Sequence, residues 1–398
     1  MGVVRFGPFR FIAELGLAGK AIDIPESDQT PRDPRAGNAA AAVSTKLAPV
    51  QFPRDCYLDL LRAVAILMVV AYHLAGMSPI SGLRDALLPG WGRYGVDVFF
   101  VLSGWLIGGL YWRELRRFGS VKLRSFLPRR WIRTLPPYFA ALLFAWLAAW
   151  ASRKQPFSPG YLFFIHNYYA VMPFFLVSWS LCVEEHFYVL LPLGLKLFSR
   201  MRVSPHWFFA ILLVTSPISR WVVSRHGIDT DVFGYYFTAT HLRFEGLALG
   251  FWASYLPFMA GRWWLWLRQY SRWLFWGGWL LLIPLPLYSD ILLYRLGFTE
   301  GAVAVTMILI HLTGRNPVWI ASNSAVKWIA LTSYSVYLTH TLMIHAALEV
   351  MDRAPSLPTP VFFPLALALI ATGGAFFYLA FERTSLLLRA RLAPRRTK

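Results

Sequence analysis

Residues 57–76 read YLDLLRAVAILMVVAYHLAG. The stretch has the length of a membrane-spanning helix, for which about 20 predominantly apolar residues are needed. Three ionisable side chains interrupt it: Asp59, Arg62 and His73. Arg62 and His73 are eleven residues apart. At 100° per residue they fall on one helical face, separated along the axis by about 16 Å. Ionisable groups inside a bilayer are costly and mark functional sites by default. The plainer readings are that Arg62 snorkels and pairs with Asp59 one turn away, and that His73 only packs in a bundle.

The rest of the chain supports the membrane reading. Of 398 residues, 57% are hydrophobic, 17% aromatic and 15% charged, against about 25% charged in a soluble domain. The chain has too few charges for a water-facing surface and too many apolar residues for disorder. Ten apolar stretches recur, at 57–76, 94–112, 136–151, 179–198, 207–224, 242–258, 273–289, 300–314, 327–350 and 361–382. The expected fold class is therefore all-α, a polytopic integral membrane protein of about ten transmembrane helices. Pro284 and Pro286 should kink or break the seventh. Segment 1–56 contains a Pro-, Ala- and polar-rich stretch at 21–50 and reads as a disordered tail with little part in catalysis. Residues 57–391 form the membrane domain and 392–398 a basic end. No cleavable signal peptide is read at the start.

The net charge of +19 would point to nucleic acid in a soluble protein. Its distribution points elsewhere. Taking the tail, 113–135, 196–206, 259–272, 315–327 and the end after Glu382 as one side gives 29 Lys and Arg, against 8 in the alternate loops. Positive loops face the cytoplasm. Both termini are thus expected in the cytoplasm of an inner (plasma) membrane protein, with membrane lipid as a partner and no nucleic acid. The segment 152–178 contains YLFFIHNYYAVMPFF, too apolar for an ordinary loop, and is expected to be re-entrant or interfacial on the outer face.

Other polar residues gather in the apolar stretches. GRYGVDVFFVLSGWLIG (92–108) places Asp97 at a helix start, where the dipole suits a carboxylate. Ser103 precedes Gly104 and Gly108, whose spacing lets a helix or ligand approach the backbone. Ser103 is not in a Gly-x-Ser-x-Gly elbow, which argues against a hydrolase nucleophile. SWSLCVEEHFYVLLPL (178–193) places Ser180, Glu184 and Tyr188 on one face. Glu184 and Glu185 diverge by about 100°, so one is expected to face a site. A structural carboxylate there would pair with Arg243 or Arg93. ALTSYSVYLTHTLMIH (330–345) aligns Ser333, Tyr337 and His340. The basic stretch 113–135 carries Arg129, Arg130 and Arg133, suited to anionic lipid or to a phosphorylated ligand. Cys56 and Cys182 are the only cysteines. With no His-Glu-x-x-His or Cys-rich spacing, no metal is expected.

Seven of these stretches occur in a telling order: LDLLRAVAILMVVAYHL, GVDVFFVLSGWLI, PRRWIRTLPPYF, SWSLCVEEHFY, RFEGLALG, SYSVYLTH and FERTSLLLRAR. Together they resemble the membrane-bound acyltransferase family 3 over residues 57–391. Leu60 and Ala63 stand where the family often has glycine, Trp105 for a usual Phe, and His186 for a usual Gln. Many relatives carry a fused extracytoplasmic hydrolase-like domain, and none is read here. The resemblance implies about ten helices and transfer of acetyl or another short acyl group from acyl-CoA to a sugar hydroxyl, mostly on surface glycans such as lipopolysaccharide or exopolysaccharide. It places the family's Arg-x10-His pair on Arg62 and His73.

The expected mechanism follows. Acyl-CoA is a co-substrate, with no tightly bound cofactor, and the acceptor is a carbohydrate or glycolipid. Arg62, Arg129, Arg130 and Arg133 would hold the donor. His73 would act as general base or as an acyl-accepting nucleophile, and the residues leave both routes open. Glu184 would orient His73 or bind the sugar. Asp97, Ser103, Ser180, Glu185, Tyr188, Arg243, Tyr337 and His340 complete the candidate set as substrate-binding or structural residues. An oligomer is compatible with all of this. A transporter or flippase of a glycan or lipid intermediate is the alternative, although no inverted halves with paired broken segments are read.

Overall fold

The computed structural model describes residues 4–5, 55–83, 92, 94–121, 123–225 and 235–392. The expectations for the tail fall largely, and those for the basic end almost wholly, outside these residues. Arg93 also lies outside them.

The regular secondary structure of the described residues is helical apart from one small ladder, in which β1 (Val4–Arg5) pairs antiparallel with β2 (Ser120–Val121). The principal helices are α1 (Cys56–Gly76), α2 (Tyr94–Phe118), α3 (Leu123–Arg153), α4 (Trp179–Arg200), α5 (Pro205–Ser224), α6 (Glu245–Ala253), α7 (Ser271–Leu282), α8 (Phe298–Leu312), α9 (Ser324–Arg353), α10 (Phe362–Phe377) and α11 (Arg383–Leu392). Among the described residues, six helical stretches are long and apolar enough to cross a membrane: Cys56–Gly76, Tyr94–Phe118, Leu127–Arg153, His206–Ser224, Leu293–Leu312 and Thr359–Arg389.

Several helix bounds differ from the apolar pattern. The stretch 242–258 is not one helix: a 3-10 turn (Thr240–Leu242) leads into α6, and a separate helix (Tyr255–Met259) follows. The stretch 273–289 ends as a regular helix at Leu282, and a 3-10 turn at Leu285–Leu287 takes over. Proline lacks an N–H and its ring clashes with the preceding turn, which explains that stop. The basic stretch 113–135 is largely helical: α2 runs on to Phe118 and α3 begins at Leu123, with Pro128, Pro136 and Pro137 inside it.

Packing among the described residues forms several apolar cores, two of which contain buried residues of α1. One joins α1, α3, α9 and α10 through Ile66, Val69, Leu142, Leu338, Ile344 and Phe362. The other joins α1, α2, α6 and α8 through Ala65, Val101, Leu102, Ala253 and Leu309. The second core depends on glycine. A Cβ on Gly104 would lie 2.2 Å from the carbonyl oxygen of Leu247, and one on Gly250 would lie 2.0 Å from that of Val101. The α2 and α6 backbones therefore touch directly, as the small-residue spacing suggests.

The stretch 152–178 folds into three 3-10 turns, Pro159–Tyr161, His166–Tyr168 and Leu176–Ser178. Tyr161, His166, Asn167 and Ser178 in it are buried. Most of their polar atoms find partners, the Asn167 side-chain oxygen being an exception: the Tyr138 hydroxyl donates to the Tyr161 carbonyl at 2.8 Å, and the Asn167 amide donates to the Thr240 hydroxyl at 2.8 Å. Buried polar groups are satisfied in this way. Phe163 and Val171, by contrast, are 69% and 73% exposed.

Candidate active site

A cavity of about 970 Å³ runs between α1, α2, α3, α4 and α9. Its size lies at the upper end of the usual range for ligand pockets, about 300–1,000 Å³. One end is strongly basic. Arg62 from α1, Arg113 and Arg117 from α2, Arg129, Arg130 and Arg133 from α3, and Arg389 from α11 all line it. Phe99, Phe100, Ser180, Leu181 and Tyr337 line the other end. The helical basic stretch explains the arginine cluster. It lets two helices carry their cations up the cavity wall at turn spacing instead of dispersing them in a loop.

Three of the arginines are held by carboxylates. Arg129 contacts Glu114 at 3.4 Å, Arg130 contacts Glu184 at 2.5 Å and Arg133 contacts Glu382 at 3.9 Å. The Arg130 guanidinium also lies 3.8 Å from the centroid of the Tyr188 ring, a cation–π contact. Arginine supplies planar, bidentate donors suited to phosphate oxygens. The cluster gives one part of the cavity a wall of guanidinium groups.

Glu184 accepts three bonds: from Arg130, from the Ser103 hydroxyl at 2.9 Å and from the Tyr188 hydroxyl at 2.8 Å. Glu185 accepts from the Trp131 indole N–H at 2.7 Å. Both carboxylates line the cavity, so the expectation that one of them faces away is corrected. Consecutive residues of α3, Arg130 and Trp131, each reach one of the two diverging carboxylates. Tyr188 sits behind Glu184 and is buried.

At the other end, the hydroxyls of Ser180 and Tyr337 lie 2.6 Å apart. Tyr337 also donates to the Val177 carbonyl at 2.7 Å. The Tyr337 ring stands between the cavity and a pair of histidines: its centroid is 6.1 Å from that of Phe99 and 5.9 Å from that of His340. Behind it, His340 Nε2 is 3.3 Å from His73 Nδ1. His340 on α9 is thus a side-chain partner of His73. The bonds of Glu184 are to Arg130, Ser103 and Tyr188, which corrects the expectation that Glu184 orients His73.

Asp97 and Arg243 lie apart from this cavity. Arg243 donates to Asp97 at 2.7 Å, with both side chains buried. The Arg243 guanidinium also lies 3.8 Å from the centroid of Phe298. Arg243 is thus the partner of Asp97 and not of a carboxylate on α4. A second buried pair escapes sequence reasoning. Arg220, not singled out within the apolar stretch 207–224, lies inside α5 with no exposed surface and contacts Glu245 at 2.5 Å. Arg113, Arg117 and Arg389 were also missed as cavity residues. A helical continuation of α2 would have shown Arg113 and Arg117 as i, i+4 neighbours. Among the described residues, no group of three or more His, Cys, Asp or Glu could hold a metal ion.

Comparison with known proteins agrees with the sequence resemblance. The family described as an acyltransferase domain matches residues 56–379. The peptidoglycan O-acetyltransferase OatA of Listeria monocytogenes is 26% identical over 330 residues, which covers 74% of this chain and 50% of that protein. The O-acetyltransferase OatA of Staphylococcus aureus is 31% identical over 217 residues, covering 48% of this chain and 33% of that protein. The chain spans about half the length of the first-ranked relatives it matches. No solved structure matches it. The cavity, the order of the motifs and the family match over residues 56–379 lead to one conclusion: this chain belongs to the acyltransferase family.

Proposed function

We propose that the protein transfers a short acyl group, acetyl above all, from acyl-CoA to a hydroxyl of an envelope or exported carbohydrate. The observation that carries this reading is the cavity with seven arginines at one end and the Tyr337–His340–His73 arrangement behind the other. Its basic end suits the phosphates of CoA. Its apolar lining, with Leu102, Leu106, Ile107 and Leu110, suits the pantetheine arm and thioester. The names of the two OatA relatives support O-acetylation, and a glycan is the acceptor we infer for this chain.

In this reaction the acceptor hydroxyl gives its proton to His73 as its oxygen attacks the thioester carbonyl. The C–S bond breaks, and the protonated His73 returns that same proton to the departing CoA sulfur, which leaves as the free thiol. His73 begins neutral and becomes protonated as the new ester bond forms. To reach His73, the acyl group must pass Tyr337, so the Ser180–Tyr337 bond yields during turnover. A transporter would also suit charged groups in spanning helices, but transport alone consumes no thioester.

The topology belongs to the same proposal. About ten membrane crossings, with both ends in the cytoplasm, bring the arginine end of the cavity to the compartment that holds acyl-CoA. Reporter fusions at Lys122 and after Lys398 should both score cytoplasmic. An external score at either point would reverse the orientation and separate the arginines from the donor.

Arg62 tests the donor assignment. It lines the cavity and, on α1, lies about 16 Å along the axis from His73. Lysine cannot reproduce a bidentate guanidinium. Arg62→Lys should weaken acetyl-CoA binding to the purified protein about tenfold, the effect of losing about 1.4 kcal/mol. Wild-type protein should release free CoA from acetyl-CoA when acceptor glycan is supplied. Unchanged acetyl-CoA affinity in Arg62→Lys would reassign Arg62 to helix packing. A wild-type protein that moves glycan without releasing CoA would favour the transporter.

A further inference from the structure

The two histidines behind Tyr337 are 267 positions apart in sequence and meet edge to face, with ring centroids 4.9 Å apart. Their hydrogen bonds fix where the protons sit. His340 Nδ1 lies 2.8 Å from the Tyr337 carbonyl oxygen and 3.1 Å from that of Val336. A carbonyl oxygen only accepts, so His340 carries its proton on Nδ1. His340 is fully buried, and a buried imidazole without a carboxylate is held neutral. Its Nε2 is therefore an acceptor.

His73 Nδ1 lies 2.9 Å from the Val69 carbonyl oxygen and 3.3 Å from that same His340 Nε2. Both neighbours are acceptors, so the Nδ1 of His73 must be the donor. In the neutral ring the lone pair is then on Nε2.

We propose that His340 is a positioning residue that sets the tautomer and orientation of His73, with the Val69 carbonyl as its co-acceptor. The role belongs to a carboxylate in serine hydrolase triads; here a neutral imidazole fills it. This inference rests on the acyl-transfer reading for its kinetic consequence, but the tautomer itself does not depend on that reading. As His73 takes the hydroxyl proton on Nε2, its Nδ1–H becomes a stronger donor and the bonds to His340 and Val69 tighten. His340 neither touches the arginine-rich cavity nor exchanges a proton. It acts through His73.

The substitutions that separate this role from simple packing are His340→Leu and His340→Gln. Leucine fills the space and removes the acceptor. The terminal amide oxygen of glutamine falls near the place of Nε2 and can still accept. The full-length protein would be reconstituted in lipid nanodiscs with 15N-labelled histidine, with His73→Asn identifying the His73 resonances.

Wild-type protein and His340→Gln should show His73 protonated on Nδ1 and unprotonated on Nε2. His340→Leu should show a mixture of tautomers. With acetyl-CoA as donor, His340→Leu should lower kcat at least tenfold with an unchanged KM for acetyl-CoA, and His340→Gln should restore most of that loss. The ceiling is the 10²–10⁴-fold effect of losing a general base outright. Wild-type His73 protonated on Nε2 would overturn the proposal, as would a normal kcat in His340→Leu. Should His340→Leu fail to fold, the wild-type and His340→Gln spectra still decide the tautomer. A wild-type protein with the expected tautomer but no CoA release would leave the positioning contact in place and refute the acyl-transfer reading instead.

Discussion

Replacing His73 with alanine is expected to lower acyl transfer by 10²–10⁴-fold at equal membrane abundance, the usual effect of removing a general base. The expectation rests on three features together. His73 shares a helix with Arg62, which lines the arginine-rich cavity. It is half-buried behind the wall at which that cavity ends. Its Nδ1 is engaged by Val69 and His340, which directs its lone pair to Nε2. His73→Gln should be as inactive as His73→Ala, because an amide is no base near neutral pH. Acetyl-CoA binding should survive both changes, since the arginine end of the cavity is untouched. Near-normal glycan acylation by either variant would remove His73 from the chemistry.

The second large effect concerns stability. Arg243→Met should cost about 3–5 kcal/mol, the usual penalty for breaking a buried ion pair by removing one partner. Asp97 would be left buried without its cation. The folded, inserted fraction should fall sharply and thermal unfolding in detergent should move to lower temperature. The double change Asp97→Asn with Arg243→Met should recover much of the loss, because no buried charge then remains unpaired. An Arg243→Met protein that inserts and unfolds normally but has lost turnover would instead give Arg243 a substrate-binding role.

The sequence carried much of this, for definite physical reasons. Intramembrane charge is expensive, so Arg62 and His73 stood out in α1 without any structure. The Gly104–Gly108 spacing anticipated the close approach of α2 and α6, which a Cβ at Gly104 or Gly250 would block. Pro284 and Pro286 foretold the end of α7. Helix continuity between apolar stretches was not legible. Apolar periodicity stops where side chains become charged, so α2 and α3 were read short, and Arg113 and Arg117 were missed as lining residues.

Pairings between distant helices were equally hidden. Nothing in the chain says that His340 meets His73 or that Arg243 chooses Asp97. Those choices depend on helix order in three dimensions. Arg220 did not stand out because it lies near the end of its helix, four residues before α5 stops, where a charge can reach the interface. Its burial against Glu245 on α6 is a tertiary fact. The divergence of Glu184 and Glu185 was read correctly as geometry. It misled as function because α3 brings a partner to each.

The central claim is that the arginine-lined cavity holds acyl-CoA with its thioester directed at Tyr337 and the histidine pair. The most direct measurement is an experimental structure of the protein in nanodiscs with bound acetyl-CoA. The account predicts the CoA phosphates against Arg129, Arg130 and Arg133, with the acetyl group at the end formed by Ser180, Leu181 and Tyr337. Acetyl-CoA bound outside this cavity, or bound with its phosphates at the Tyr337 end, would contradict it.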